Sequence, residues 1–152
     1  MNDFQIKFNK SNFKQINSHL LSVSDLFIPS LSSYINIEKY SLKIINNANR
    51  FEIFDNDKLI ALLAFYEKSD EIFVTNLSVC KTQLNNGIAK SLIFELFDYS
   101  KTRFIKLEVF KLNKKAIKFY LLNDFYIKQE LEEKFILEWK KWEIIIKNLK
   151  IT

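Results

Sequence analysis

Val79-Cys80-Lys81-Thr82-Gln83-Leu84-Asn85-Asn86-Gly87-Ile88-Ala89-Lys90-Ser91 contains the only glycine in a chain of 152 residues. Glu71–Cys80, which leads into it, reads as a β-strand. Gly87–Tyr99, which leads out, reads as a helix, because Ile88, Leu92, Ile93, Leu96 and Phe97 share one side at helical spacing. A helix N-terminus exposes unpaired backbone N–H groups and the positive end of the helix dipole, which together form an anion site. Glycine there lets the backbone approach a bulky phosphate. Ala89 and Ser91 keep the next positions small, and Lys81 and Lys90 flank them with positive charge. Asn85-Asn86-Gly87 would also serve as an ordinary turn, and on turn chemistry alone the two readings are even. Scarcity tips the balance: a chain that avoids glycine places its single copy here.

Working outward, the period of the apolar residues sets the order of elements. Phe4–Phe8 reads as a strand. Ser11 can cap a helix running from about Asn12 to Leu21, with Phe13, Ile16, His19 and Leu20 at helical spacing. Pro29 and its neighbouring serines mark a break before a second helix over Ile37–Asn47. Phe51–Phe54 and Leu59–Tyr66 read as strands joined by a turn at Asp55–Lys58. Beyond the central junction, Phe104–Phe110 reads as a strand and Lys114–Leu122 as a helix. Phe125–Gln129 and Phe135–Trp139 read as two more strands, and Trp142–Leu149 fits either a helix or a strand. A meander followed by a crossover helix implies the α+β class, with a mixed sheet covered by helices. No repeat or linker divides residues 1–152, which read as one domain.

Composition narrows the function. The chain is 48% hydrophobic, with 15 Phe and 6 Tyr, enough for a packed core. Leu59–Tyr66, the longest apolar run, falls far short of the ~18–20 residues of a membrane span, and the N-terminus lacks a signal-peptide core. With one Cys (Cys80) and one His (His19), there is no intrachain disulfide, and a zinc site would have to be built from carboxylates. A cytoplasmic, metal-free protein is the simplest reading. Cys80 reads as a buried apolar residue, and His19 as helix surface or core. A formal net charge of +5 suits an anionic partner, though most of these charges read as solvated surface.

The central stretch resembles the acetyl-CoA loop of the GNAT acetyltransferases. In that family a strand ending in Val is followed by a short run and then Gln/Arg-x-x-Gly-x-Gly/Ala. Val79, Cys80-Lys81-Thr82-Gln83 and Leu84-Asn85-Asn86-Gly87-Ile88-Ala89 match without a gap, except that Leu84 stands where Gln or Arg is usual. A second block, Leu107-Glu108-Val109 followed by Asn113, Ala116 and Tyr120, is similar to the family's Leu-x-Val and Asn-x-x-Ala-x-x-x-Tyr. Asp124-Phe125 then replaces Gly-Phe, and Asp tolerates the left-handed backbone that glycine would supply. The two blocks span residues 71 to 125. The resemblance implies a GNAT-like, mostly antiparallel mixed sheet of about six to seven strands with about four helices.

It also implies acetyl-CoA as co-substrate and direct transfer to a primary amine within a ternary complex. Leu84, Asn85, Asn86, Gly87, Ile88, Ala89 and Lys90 would hold the phosphates, mainly through backbone N–H groups. Leu77 and Val79 would lie where the family splays its central strands, with a bulge near Asn76 exposing backbone groups to the pantetheine arm. Asn113 would hydrogen-bond the cofactor, and Tyr120, seven residues on along the same helix face, would protonate the departing thiolate. Apart from the resemblance, Tyr120 reads as a core aromatic. Glu108 is the candidate base, since a carboxylate on an interior strand is costly unless paired or functional. A salt bridge to Lys106 or across the strands is an equal reading.

The acceptor would be met by Phe27–Tyr40 and Phe125–Trp142, which are rich in Phe, Tyr and Ser. Those aromatic and hydroxyl-bearing residues favour an amino sugar or sugar nucleotide, with a protein N-terminus or lysine, or a polyamine, as alternatives. A non-catalytic acyl-CoA-binding module on the same scaffold is a second reading. Nucleic-acid binding ranks last, because the lysines are scattered. The apolar Trp142–Leu149 segment would suit pairing in a homodimer.

Overall fold

Seven consecutive residues, Leu59 to Phe65, are at most 3% exposed. Such a run must lie in a strand covered on both faces. In the computed structural model, which describes residues 4–102 and 104–141, this run forms most of strand β3 (Lys58–Glu67). β1 (Ile6–Phe8) leads into helix α1 (Phe13–Val23), a short 3-10 turn at Ser24–Leu26, a second at Leu31–Ser33, and α2 (Ile37–Asn47). Then come β2 (Asn49–Asp55), β3, β4 (Glu71–Val79), α3 (Ile88–Tyr99), β5 (Phe104–Phe110), α4 (Lys114–Leu122), β6 (Tyr126–Glu130) and β7 (Lys134–Lys140). The predicted order is observed, and three elements match at both ends: α2, β5 and α4. The Trp142–Leu149 segment lies outside the described residues.

The strands form one sheet in the order β1-β2-β3-β4-β5-β7-β6. Every pairing is antiparallel except β4–β5. The final hairpin inserts β7, not β6, beside β5. Leu137 and Trp139 are buried on β7, whereas β6 carries exposed Lys128, Gln129 and Glu130, as an edge strand should.

Each face has its own core. Ile16, Leu20 and Val23 of α1 and Ile37 and Ile44 of α2 bury Leu59, Leu62 and Ala64 of β3. On the other face Leu92, Ile93 and Leu96 of α3 cover Phe51, Leu63 and Phe65. Phe97 stacks on Trp139 with centroids 4.2 Å apart. Burying each large apolar side chain contributes roughly 1.5–3 kcal/mol.

One local expectation is corrected. Asn12, not Ser11, caps α1: its side chain accepts from the Gln15 N–H, and the Gln15 side chain accepts from the Asn12 N–H in return. Ser11 instead belongs to a buried ion pair, Arg50–Glu52, at 3.0 Å. The Glu52 carboxylate accepts from the Lys10 and Ser11 N–H groups and the Ser11 hydroxyl. Arg50 also donates to the carbonyls of Ala48 and Ser11. Glu52 is wholly buried, so this set of partners is what makes its charge tolerable there.

Candidate active site

β4 and β5 pair only from Glu71–Val74 to Phe104–Leu107, although β4 continues to Val79 and β5 to Phe110. Beyond Val74 and Leu107 the two strands part. On the other side of β4, Ala64 pairs with Asn76 and Phe65 with Val74, which leaves Thr75 as the extra residue of a bulge. This is the bulge expected near Asn76. The result is a cleft of about 670 Å³ that opens between the strands and is lined from both faces of the sheet.

A buried polar network braces the bulge from the α1–α2 face. The Tyr40 hydroxyl donates to the Thr75 carbonyl at 2.7 Å and lies 2.8 Å from the Thr75 hydroxyl. Burial pushes the Tyr40 phenol up to about 12. Behind Thr75, the Ser78 hydroxyl donates to Asn76 Oδ1 at 2.7 Å, and His19 Nε2 meets Ser78 Oγ at 2.8 Å. With the Ser78 proton committed to Asn76, Nε2 of His19 is the donor in its pair. His19 is 2% exposed, and its pKa is lowered to about 4. Burial is the main cause, partly opposed by the Leu59 backbone and reinforced by the charge of Lys58.

On the α3–α4 face the cleft meets the predicted anion loop. Asn85 and Gly87 both adopt left-handed backbone, at φ 67° and 75°. Gly87 is the N-cap of α3, and the Ser91 N–H to Gly87 carbonyl bond opens the helix. The N–H groups of Ile88, Ala89 and Lys90 therefore precede the first intrahelical donor, the Ser91 N–H, and have no acceptor within the helix. A Cβ built on Gly87 would meet nothing within 4 Å, so the space over the loop is open. Leu77, Val79, Leu84, Asn85, Gly87, Ile88, Ala89 and Lys90 line the cleft. Asn86 does not, and its side chain donates to Gln83 instead. The lysines at the cleft are Lys90, Lys115 and Lys134, not Lys81.

α4 brings the second block to the same cleft. Asn113 is its N-cap and accepts from the Ala116 N–H at 3.2 Å, which leaves its Nδ2 for a ligand. Tyr120 lies about two turns further along the same face, buried and edge-on to Phe119 and Phe125. Burial alone raises its phenol pKa well above the ordinary value. It stays protonated at neutral pH and can donate a proton. Asp124 takes the left-handed conformation, φ 71°, that the Gly-Phe position demands.

Glu108 lines the cleft, but not in the buried setting expected of it. Its side chain is 40% exposed because β5 has left β4 at that point. A long cross-strand pair holds it 3.5 Å from Lys134, while Lys106 turns to Glu71 and Glu138. Sequence reasoning missed Tyr34, Phe110, Lys134 and the Tyr40–Thr75 and His19–Ser78–Asn76 bonds. Tyr40 had a visible signal, since it shares the apolar face of α2 yet carries a hydroxyl that needs a partner.

Among the described residues no cluster of His, Cys, Asp and Glu could hold a metal ion, and no helix is long and apolar enough to cross a membrane. A search of curated protein sequences finds no match. Among solved structures, the fold is similar to PaiA N-acetyltransferase from Thermoplasma acidophilum in complex with coenzyme A. The TM-score is 0.72 at 16% identity, covering 90% of this chain and 99% of that one. A GNAT family acetyltransferase from Elizabethkingia anophelis with acetyl-CoA bound scores 0.72 at 13% identity, over 92% and 99%. The ribosomal-protein-S18-alanine N-acetyltransferase from Escherichia coli scores 0.66 at 15% identity, over 90% and 94%. Residues 20–125 match the profile of the Acetyltransferase (GNAT) family, and with most of its length inside that match, this chain belongs to the GNAT acetyltransferases.

Proposed function

We propose that this chain transfers the acetyl group of acetyl-CoA directly to a primary amine while both are bound in the cleft between β4 and β5. The observation that carries this reading is that the parted strands open to both faces of the sheet. The anion loop and Tyr120 lie toward one face and the α1–α2 segment toward the other, so two ligands can enter from opposite sides and meet at the bulge. The residues present suit acetyl-CoA. The α3 N-terminus offers N–H groups and an open approach over Gly87 for a diphosphate. Lys90 and Lys115 add positive charge. Leu77 and Val79 present the backbone of a strand with no partner strand on that side to a pantetheine arm.

Bound there, acetyl-CoA supplies an activated thioester with a thiol leaving group. The chain positions the reactants and handles two protons. Glu108, held only loosely by Lys134, takes the proton of the incoming ammonium so that a neutral amine can attack. Tyr120 gives its hydroxyl proton to the departing sulfur. The bulge, locked by Tyr40 through Thr75, presents backbone groups at the centre of the cleft. These roles for Glu108, Tyr120, Asn113 and the loop are part of the proposal.

Calorimetry with acetyl-CoA on the parent and on Gly87→Tyr tests the site. The tyrosine side chain would fill the open space over the loop, so parent binding should be lost in the variant. Release of CoA thiol on adding amines should follow. A parent chain that is folded and yet does not bind acetyl-CoA would sink the proposal. Binding without thiol release from any amine would favour a non-catalytic acyl-CoA-binding module.

A further inference from the structure

Three of the exposed large apolar residues, Leu26 (38%), Ile28 (50%) and Tyr34 (44%), fall within nine positions of the segment between α1 and α2, and all three line the cleft. Phe27 and Leu31 stand beside them, and Phe110 of β5 meets the Tyr34 ring edge-on at 5.0 Å. This wall lies on the face of the sheet opposite the anion loop, where the acceptor amine would enter. The serines of the same segment do not contribute to it. The Ser24 hydroxyl accepts from the Ser32 N–H, and the Ser33 hydroxyl donates to the Ser30 carbonyl, so both satisfy local turns. The Tyr40 hydroxyl is committed to Thr75. Among the described residues, Glu108 is the only carboxylate in the cleft, against three lysines, Lys90, Lys115 and Lys134.

We infer that the acceptor is a primary amine bearing an apolar substituent next to its amino-bearing carbon. The apolar group packs against Leu26, Ile28, Tyr34 and Phe110, and the amine displaces Lys134 from Glu108. This deepens the acetyl-transfer reading and rests on it. Surface apolar residues gathered at a functional cleft mark a binding subsite. An amino sugar would bring several hydroxyls to a wall whose one hydroxyl is the Tyr34 phenol, and desolvated polar groups without partners weaken binding. A polyamine would bring further cations to a site whose one carboxylate, Glu108, already has Lys134 beside it, so like charges would oppose it.

The test is CoA-thiol release at saturating acetyl-CoA with leucinamide, 2-phenylethylamine, glucosamine and spermidine, alongside calorimetry with acetyl-CoA. The two apolar amines are expected to exceed the other two in kcat/KM by about 100-fold, in line with what an apolar pocket distinguishes. Ile28→Asp and Leu26→Asn should each raise KM for the apolar amines about tenfold or more and leave acetyl-CoA affinity unchanged, which also shows that the variants fold. If acetyl-CoA binds and glucosamine or spermidine is used as well as the apolar amines, or neither apolar amine is acetylated, the inference is overturned. It also fails if neither variant changes KM. A parent that does not bind acetyl-CoA would overturn the underlying reading and this inference together, and the calorimetry tells that case apart.

Discussion

Lowering the pH from 7.5 to 5 should destabilise this protein through one residue. His19 is the only histidine in the chain, and its imidazole, 2% exposed, has its pKa held down at about 4 against an ordinary 6.5. In the unfolded chain it takes up a proton as the pH falls through 6.5, whereas in the folded protein it resists until about 4. The stabilisation is therefore fully present above 6.5 and is lost progressively as the pH falls toward 4. The whole interval corresponds to roughly 3 kcal/mol, at about 1.4 kcal/mol per pH unit, of which about 2 kcal/mol is lost by pH 5. Asp and Glu of ordinary pKa titrate mostly below pH 5, so the window isolates the histidine. Against a typical domain stability of about 5–15 kcal/mol, such a loss is easily read from urea midpoints. The assay compares midpoints at pH 7.5, 6.5, 5.5 and 5 in the parent and in His19→Gln, whose amide can still donate to Ser78 but does not titrate. The parent should lose stability across the series and the variant should stay nearly flat. An equal slope in both, or a flat parent, would refute the argument that His19 is buried neutral.

Other expectations follow from single side chains. Tyr120→Phe keeps the ring packed against Phe119 and Phe125, so Tm should not fall, while kcat should drop about 10²–10⁴-fold if the hydroxyl is the proton donor; unchanged turnover would reduce Tyr120 to a core aromatic. Glu108→Gln should slow the reaction most at low pH, where the acceptor is fully protonated, and hardly alter acetyl-CoA affinity; rates equal to the parent across pH 6–9 would leave Glu108 as a partner of Lys134 only. Glu52→Ala strands the Arg50 guanidinium, which is 5% exposed, and should cost about 3–5 kcal/mol in chemical denaturation; a loss below 1 kcal/mol would mean that water reaches the site.

The Tyr40–Thr75 and His19–Ser78–Asn76 bonds give the bulge a rigid backing. They tie it to both helices of the α1–α2 face, so the backbone facing the cleft is held in place before any ligand arrives. Preorganisation of this kind lets binding energy go into catalysis without first ordering the strand.

Much of this was legible locally. The strand–loop–helix junction around Gly87, the boundaries of α2, β5 and α4, and the left-handed backbone at Asp124 all follow from interactions within a few residues, and sequence spacing records those directly. Glu108 shows where local reasoning stops. Alternation along β5 identified a carboxylate among apolar residues, but not that β4 departs after Val74 and leaves it exposed to the cleft. Likewise the serines between α1 and α2 suggested a polar acceptor from sequence, but none of them lines the cleft, whereas Leu26, Ile28 and Tyr34 do. The sequence alone determined the order of elements, the strand–loop–helix junction at Gly87 and the family, because periodicity and turn chemistry are short-range. Only the tertiary structure decided which groups share the cleft and which are already bonded, because burial and hydrogen-bond partners depend on contacts between residues tens of positions apart, such as Arg50 with Ser11, His19 with Ser78, Tyr40 with Thr75 and Glu108 with Lys134.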